Sequence, residues 1–256
     1  MPVLCYLATP RKDDDAPMTD SPESLRQRSI RSFVMRMGRM TDAQRRALDE
    51  LWPRWGVDLP TPGTDGVAWL DLDGIFGRQA PRSLEIGFGD GESLAHLAGA
   101  NPQRDYLGIE VHRPGVGHLL LLAEKQGLGN VRAICHDAVD VLQQHIAPAM
   151  LDEVLILFSD PWHKKRHHKR RLIQTPFVDL LASRLRPDGL LKLATDWEPY
   201  AQQMLEVLNA SPWFTNMSPD GGYVPRPHWR TLTRFERRGE RLGHGVWDLA
   251  YQRNGR

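Results

Sequence analysis

The stretch RSLEIGFGDGESLAHLAGA, Arg82 to Ala100, decides how the rest of the chain is read. RSLEIGF has the short apolar run of a strand, ESLAHLAGA the pattern of a helix, and Gly87, Gly89 and Gly91 stand at alternate positions between them. Glycines there let the backbone turn tightly and let a ligand come close to it. The alternation then repeats. DYLGIEV (105–111), VRAICHD (131–137), EVLILFSD (153–160) and GLLKLATD (189–196) read as strands, while PGVGHLLLLAEKQG (114–127), AVDVLQQHI (138–146) and TPFVDLLASRL (175–185) read as helices. Strand and helix in regular alternation predict an α/β chain with a doubly wound, mostly parallel sheet.

Ligands of such sheets bind outside the carboxyl ends of the strands. Glu85, Glu110, Asp137, Asp160 and Asp196 stand in or at the ends of the five strand-like runs and are expected to converge there. A dinucleotide fingerprint, G-x-G-x-x-G, needs a glycine at position 92, which is Glu. Asp90 and Glu92 would also repel a pyrophosphate from the helix N-terminus, and no G-x-x-x-x-G-K-[ST] occurs. A nucleoside cofactor without phosphate, carrying positive charge, suits these residues better. S-adenosylmethionine is such a cofactor, with Gly87 and Gly89 at its backbone contact and Glu85 near its cationic groups. Glu110 lies 23 residues after Gly87, close to the roughly 20 at which an acid on the second strand reaches ribose hydroxyls. Asp137 is placed to meet the adenine, or equally to cap the following helix.

After the fourth strand comes SDPWHKKRHHKRRL, Ser159 to Leu172, in which residues 163–171 comprise six Lys or Arg and three His. The remaining chain holds 27 basic against 32 acidic residues, so the positive field is local although the net charge is +1. Cations clustered beside a methyl donor point to a nucleic-acid substrate. His163, His167 and His168 do not make a metal site, since neighbouring cations oppose a divalent ion and no acid or Cys completes a set. Near the C-terminus Arg230, Thr233, Arg234, Phe235 and Glu236 mix hydrogen-bonding groups with an aromatic. A carboxylate such as Glu236 can accept from the N1 and N2 protons of guanine.

Residues 1–30, rich in Pro, Ser, Asp and Arg without apolar periodicity, are expected to form a disordered tail. TDAQRRALDELW, from Thr41 as N-cap, reads as a short amphipathic helix with Ala43, Ala47, Leu48 and Leu51 on one face, an extension of a single main domain over 31–256. Two cysteines suit a reducing compartment, and neither a signal peptide nor an apolar run near 20 residues occurs, so a cytoplasmic protein without membrane attachment is expected.

From about Arg31 onward the chain resembles the bacterial tRNA (guanine-N7-)-methyltransferases of the TrmB type. The resemblance lies in RSFVMRMGRMT, EIGFGDGESL, YLGIEVHRPGVG, CHDAV, DPWHKKRHHKRR, ATDWEPYA, YVPRP and TRFERRGERLGHGVWDL, in that order. It implies a class I S-adenosylmethionine-dependent methyltransferase, with a Rossmann-like, mostly parallel seven-stranded sheet, acting on the variable-loop guanine 46 of tRNA as monomer or homodimer. Glu85, Glu110, Asp137 and Asp160 would line the cofactor site, with Asp160 catalytic. Lys164, Asp196 and Thr233 to Glu236 would contact the substrate base, and Arg166, His167, His168, Lys169, Arg170 and Arg171 the RNA. Ser159 departs from the family, which has Pro before Asp-Pro-Trp. Two other readings remain open: methylation of a different RNA or of a small molecule, and a non-catalytic RNA-binding protein of the same fold.

Overall fold

A computed structural model describes residues 32–33, 39–230 and 245–255; the expected tail at 1–30 lies outside them. Strands β1 (Arg82–Ile86), β2 (Asp105–Ile109), β3 (Val131–Ile134), β4 (Leu151–Leu157) and β5 (Leu185–Thr195) pair in parallel. Two further strands, β6 (Phe214–Asn216) and β7 (Trp247–Arg253), complete a seven-stranded sheet of order β3-β2-β1-β4-β5-β7-β6, with β7 antiparallel to both neighbours. The order reverses between β1 and β4, which makes that pair the topological switch point.

Side chains alternate across each strand, so the sheet feeds two cores. Helices α1 (Asp42–Glu50) and α2 (Trp52–Trp55) precede α3 (Leu72–Phe76), followed by α4 (Glu92–Ala100) and α5 (Arg113–Gln126). The core shared by α1, α2, α4 and α5 takes Ala47, Trp55, Leu94, Val116, Leu119 and Leu120, with Phe88 from the turn after β1 and Tyr106 and Leu155 from the sheet. The other core gathers α6 (Ala138–Gln144), α7 (Thr175–Arg184) and α8 (Glu198–Asn209) around Leu84, Leu107, Val154 and Ile156. Within β4, Val154 and Ile156 thus face one layer of helices while Leu155 faces the other.

Thr41 caps α1 as expected, in a reciprocal box: its hydroxyl accepts from the Gln44 N–H at 3.2 Å and Gln44 Oε1 accepts from the Thr41 N–H at 2.9 Å. Of the four apolar residues read onto one face only Ala47 is fully buried, and the helix breaks after Glu50 because Pro53 opens a second short one. That second helix delivers Trp55 to the core and then pairs Gly56 with Ala133, so the outer edge of β3 is partly covered by the chain's own extension. β5 begins at Leu185, four residues before GLLKLATD, through an irregularity where Asp188 takes φ 64° and the β4 register shifts between Leu151 and Glu153.

Candidate active site

A cavity of about 880 Å³ opens at the carboxyl ends of β1, β2, β3 and β4. Glu85 and Gly87 come from β1 and its turn, Glu110 from the end of β2, Asp137 from the end of β3, and Asp160 to Lys164 from the loop after β4. All of these except Glu85 line the cavity.

Glu85 is 2% exposed, and its Oε2 has no hydrogen-bond partner among the described residues. Burial first, then the nearby Asp90 and Glu110 charges, push its carboxyl up to about 8. A buried, underpaired carboxylate among other acids would be stabilised by a cation brought beside it. Glu110 ties two turns together: Oε2 accepts from the Gly89 N–H at 2.9 Å and Oε1 from the Val111 and His112 N–H groups at 2.7 and 2.9 Å. Gly89, at φ 62°, presents its carbonyl so close to α5 that a side chain on Gly115 would lie 1.9 Å from that oxygen. The glycine turn is thereby seated on the N-terminal turn of α5. Asp137 caps α6, accepting from the Val139 N–H at 2.9 Å, and also lines the cavity.

Asp160 is exposed on a turn bounded by two left-handed non-glycine residues, Phe158 at φ 56° and Trp162 at φ 48°. Such backbone costs on the order of 1–3 kcal/mol per residue and persists where surroundings impose it. The Trp162 indole donates to the Ser32 carbonyl at 3.0 Å, lies 5.8 Å from the His167 ring at 19°, and receives the Arg170 guanidinium 5.0 Å from its centroid. Lys164 is exposed at the cavity and leads into a 3₁₀ helix, Lys165–Arg170, that carries the basic run. On it Lys165, Arg166 and Lys169 are exposed, while His167, His168 and Arg170 are half-buried. Desolvation and then the cations Arg166, Arg170, Lys164 and Lys169 hold the His167 imidazole below its ordinary range. Arg166 Nε donates to its Nε2 at 3.1 Å, which suits the neutral ring.

Of the six residues expected to meet RNA, Arg171 alone is buried. It is 3% exposed, and its guanidinium turns inward to the Pro161 carbonyl and to α8. Arg171 stands one residue past the 3₁₀ helix, as its C-cap at φ −57° and ψ 134°, so its side chain leaves the direction set by the helical turns and meets those acceptors. Asp196, after β5, is half-buried and is not among the cavity residues, and Thr233, Arg234, Phe235 and Glu236 lie outside the described residues. His112 and His136 also line the cavity; both stand inside motifs of the resemblance, YLGIEVHRPGVG and CHDAV, which assigns them no role, and each neighbours a strand-end acid, within two residues of Glu110 and one of Asp137. Among the described residues no group of His, Cys, Asp and Glu could hold a metal ion, and no helix is long and apolar enough to cross a membrane.

Comparison with known proteins agrees with this geometry. Residues 79–249 match the family model described as "Putative methyltransferase". A tRNA (guanine-N(7)-)-methyltransferase of Pseudomonas paraeruginosa (strain DSM 24068 / PA7) is 52% identical over 245 residues, covering 96% of this chain and 98% of the relative. Its counterpart in Burkholderia cenocepacia (strain HI2424) is 57% identical over 241 residues, covering 94% and 91%. Among solved structures, the 16S rRNA methyltransferase KamB is similar in fold alone, at 16% identity and TM-score 0.51, covering 73% of this chain and 95% of that one. With an acid-lined crevice at the switch point and more than half of its residues shared with full-length relatives, the chain belongs to the tRNA (guanine-N(7)-)-methyltransferase family.

Proposed function

We propose that this protein transfers the methyl group of S-adenosylmethionine to N7 of a guanine in tRNA, the variable-loop guanine 46. The reading rests on one juxtaposition: the Asp160 turn lines the same cavity as Glu110 and Asp137, and the exposed cations begin four residues further on at Lys164. Family membership supports it.

Glu85 would face the cofactor's cationic end, Gly87 and Gly89 its backbone contact, Glu110 the ribose hydroxyls and Asp137 the adenine. When bound, S-adenosylmethionine supplies an electrophilic methyl on a positive sulfur. Guanine N7 carries an in-plane lone pair, so the new C–N bond forms as the S–C bond breaks and no proton has to leave first. The residues therefore act by alignment, an effect that can contribute roughly 7–11 kcal/mol. Positive charge grows on the purine during transfer, and Asp160, exposed at the cavity, stabilises it.

Lys164, Lys165, Arg166, Lys169 and Arg170 would hold phosphates, with His167 and His168 beside them. In paired RNA N7 lies in a groove too deep and narrow for side chains, which favours an unpaired guanine as target. Asp196 and the segment Thr233 to Glu236 would orient that base. The test is nucleoside analysis of tRNA incubated with the protein and methyl-labelled S-adenosylmethionine. Label in 7-methylguanosine at the variable loop is expected; label only in another nucleoside, or none, would overturn the reading.

A further inference from the structure

We propose that Arg171 is a positioning residue for methyl transfer: it fixes the Asp160 turn by holding the Pro161 carbonyl, and does not itself bind RNA. Arg171 Nε donates to the Pro161 carbonyl at 2.7 Å. Nη1 donates to Gln203 Oε1 at 2.7 Å and reaches the Pro199 carbonyl at 3.3 Å, while Nη2 lies 3.1 Å from His168 Nε2. The guanidinium rests 4.9 Å from the centroid of the fully buried Tyr200 ring. Among the described residues no carboxylate forms a salt bridge with it.

A cation withdrawn from water without an acid partner is costly, and a phosphate could reach a side chain only 3% exposed only by unseating it. What the burial secures is geometry. The planar fork of arginine spans three acceptors at fixed angles, one on the turn and two on the first turns of α8, so the turn is pinned to a rigid helix. Tyr200 adds a second point of support, since its hydroxyl accepts from the Ile173 N–H at 3.1 Å and from Ser159 Oγ at 3.5 Å. Phe158 and Trp162 hold their left-handed backbone on either side of this anchorage, where strain needs an external restraint.

The inference rests on the function proposed above, and its test separates the two. With tRNA and S-adenosylmethionine both saturating, Arg171→Lys should lower the single-turnover methyl-transfer rate by about tenfold or more, because small misplacements of reacting groups are costly. Its tRNA affinity should stay within about twofold of wild type with the salt dependence unchanged. S-adenosylmethionine affinity, measured calorimetrically, should fall roughly threefold or more, since Pro161 and Trp162 line the cavity. A saturating rate within about twofold of wild type, or weaker tRNA binding with a shallower salt slope, would overturn the assignment. Should Arg171→Lys fail to fold, Gln203→Ala, which leaves the basic run intact, should slow transfer in the same direction without changing the salt slope; a wild-type rate there would also overturn it. If wild-type protein forms no 7-methylguanosine, the functional reading fails, and the cofactor affinity of Arg171→Lys alone decides whether the brace exists.

Discussion

Glu85 is the side chain whose burial makes the fold most sensitive to pH. Its carboxyl is moved from the ordinary 4.5 to about 8, so the folded, ligand-free protein holds a proton that the unfolded chain releases across that interval. Below 4.5 both states are protonated and nothing is lost; stability declines as pH rises from 4.5 to about 8 and levels off above it. At about 1.4 kcal/mol per unit the loss is a few kcal/mol. Glu85→Gln should therefore match the ligand-free wild type near pH 4.5 and be clearly more stable at pH 8 in urea titrations. Parallel pH profiles for the two proteins would remove the carboxylate from this role. The role proposed for Glu85 at the cofactor's cationic end draws on the ionised form, and it predicts that calorimetry in buffers of different ionisation enthalpy detects proton release on S-adenosylmethionine binding below pH 8. Asp160 carries a different expectation. Asp160→Ala should lower the single-turnover rate by roughly 10²–10³-fold, the range for losing a group aimed at developing charge, with little change in tRNA affinity. A near-wild-type rate would mean that another group meets the charge on the purine.

The elements divide between those whose pattern is local and those whose partners are distant. The five parallel strands were readable because each is a short apolar run bounded by a turn and followed by a helix, and the strand-end acids were readable with them. β6 is three residues long and β7 mixes Trp247, Asp248 and Gln252, so neither carries a periodicity that separates it from a loop. What makes β7 a strand is pairing with β5 across six residues, together with the buried Arg230 to Asp248 ion pair at 2.8 Å. The basic run was legible as charge but not as orientation. Lys165, His168 and Arg171 share a three-residue spacing, yet Lys165 is exposed and Arg171 buried; the acceptors that draw Arg171 inward, Pro161 and Gln203, lie 10 and 32 residues away in sequence, where no local pattern records them. The three exposed cations and the half-buried Arg170 give a prediction for the whole element. Replacing Lys165, Arg166, Lys169 and Arg170 together by Ala should weaken tRNA binding and flatten the plot of log Kd against log salt by about 0.7 for each phosphate that is no longer neutralised. An unchanged slope would show that this segment meets no phosphate.

Across the whole molecule the extension before the sheet is as much a part of the fold as the sheet itself. Its α1 lies so close to α5 that a Cβ on Gly117 would sit 2.7 Å from the Gln44 carbonyl, and α5 in turn seats the glycine turn of the active site. Trp55 anchors the other end: it is 2% exposed, its indole donates to the Leu128 carbonyl at 2.7 Å, and it places Val57 to donate to Ala133 at the edge of β3 at 2.9 Å. Two contributions can be separated there. Trp55→Phe keeps most of the packing but leaves the Leu128 carbonyl without its donor, a loss of about 1–3 kcal/mol. Trp55→Ala also opens a cavity and should cost about 3–5 kcal/mol, lowering the melting temperature by roughly 10 °C in a domain of this size. Because the loosened segment guards a sheet edge, the Ala variant should also aggregate more readily on heating than its melting temperature alone predicts. Light scattering during thermal unfolding checks this against Leu84→Ala, a core truncation away from the edge. If Trp55→Ala unfolds at the wild-type temperature, residues 42–57 are an appendage that the sheet does not need.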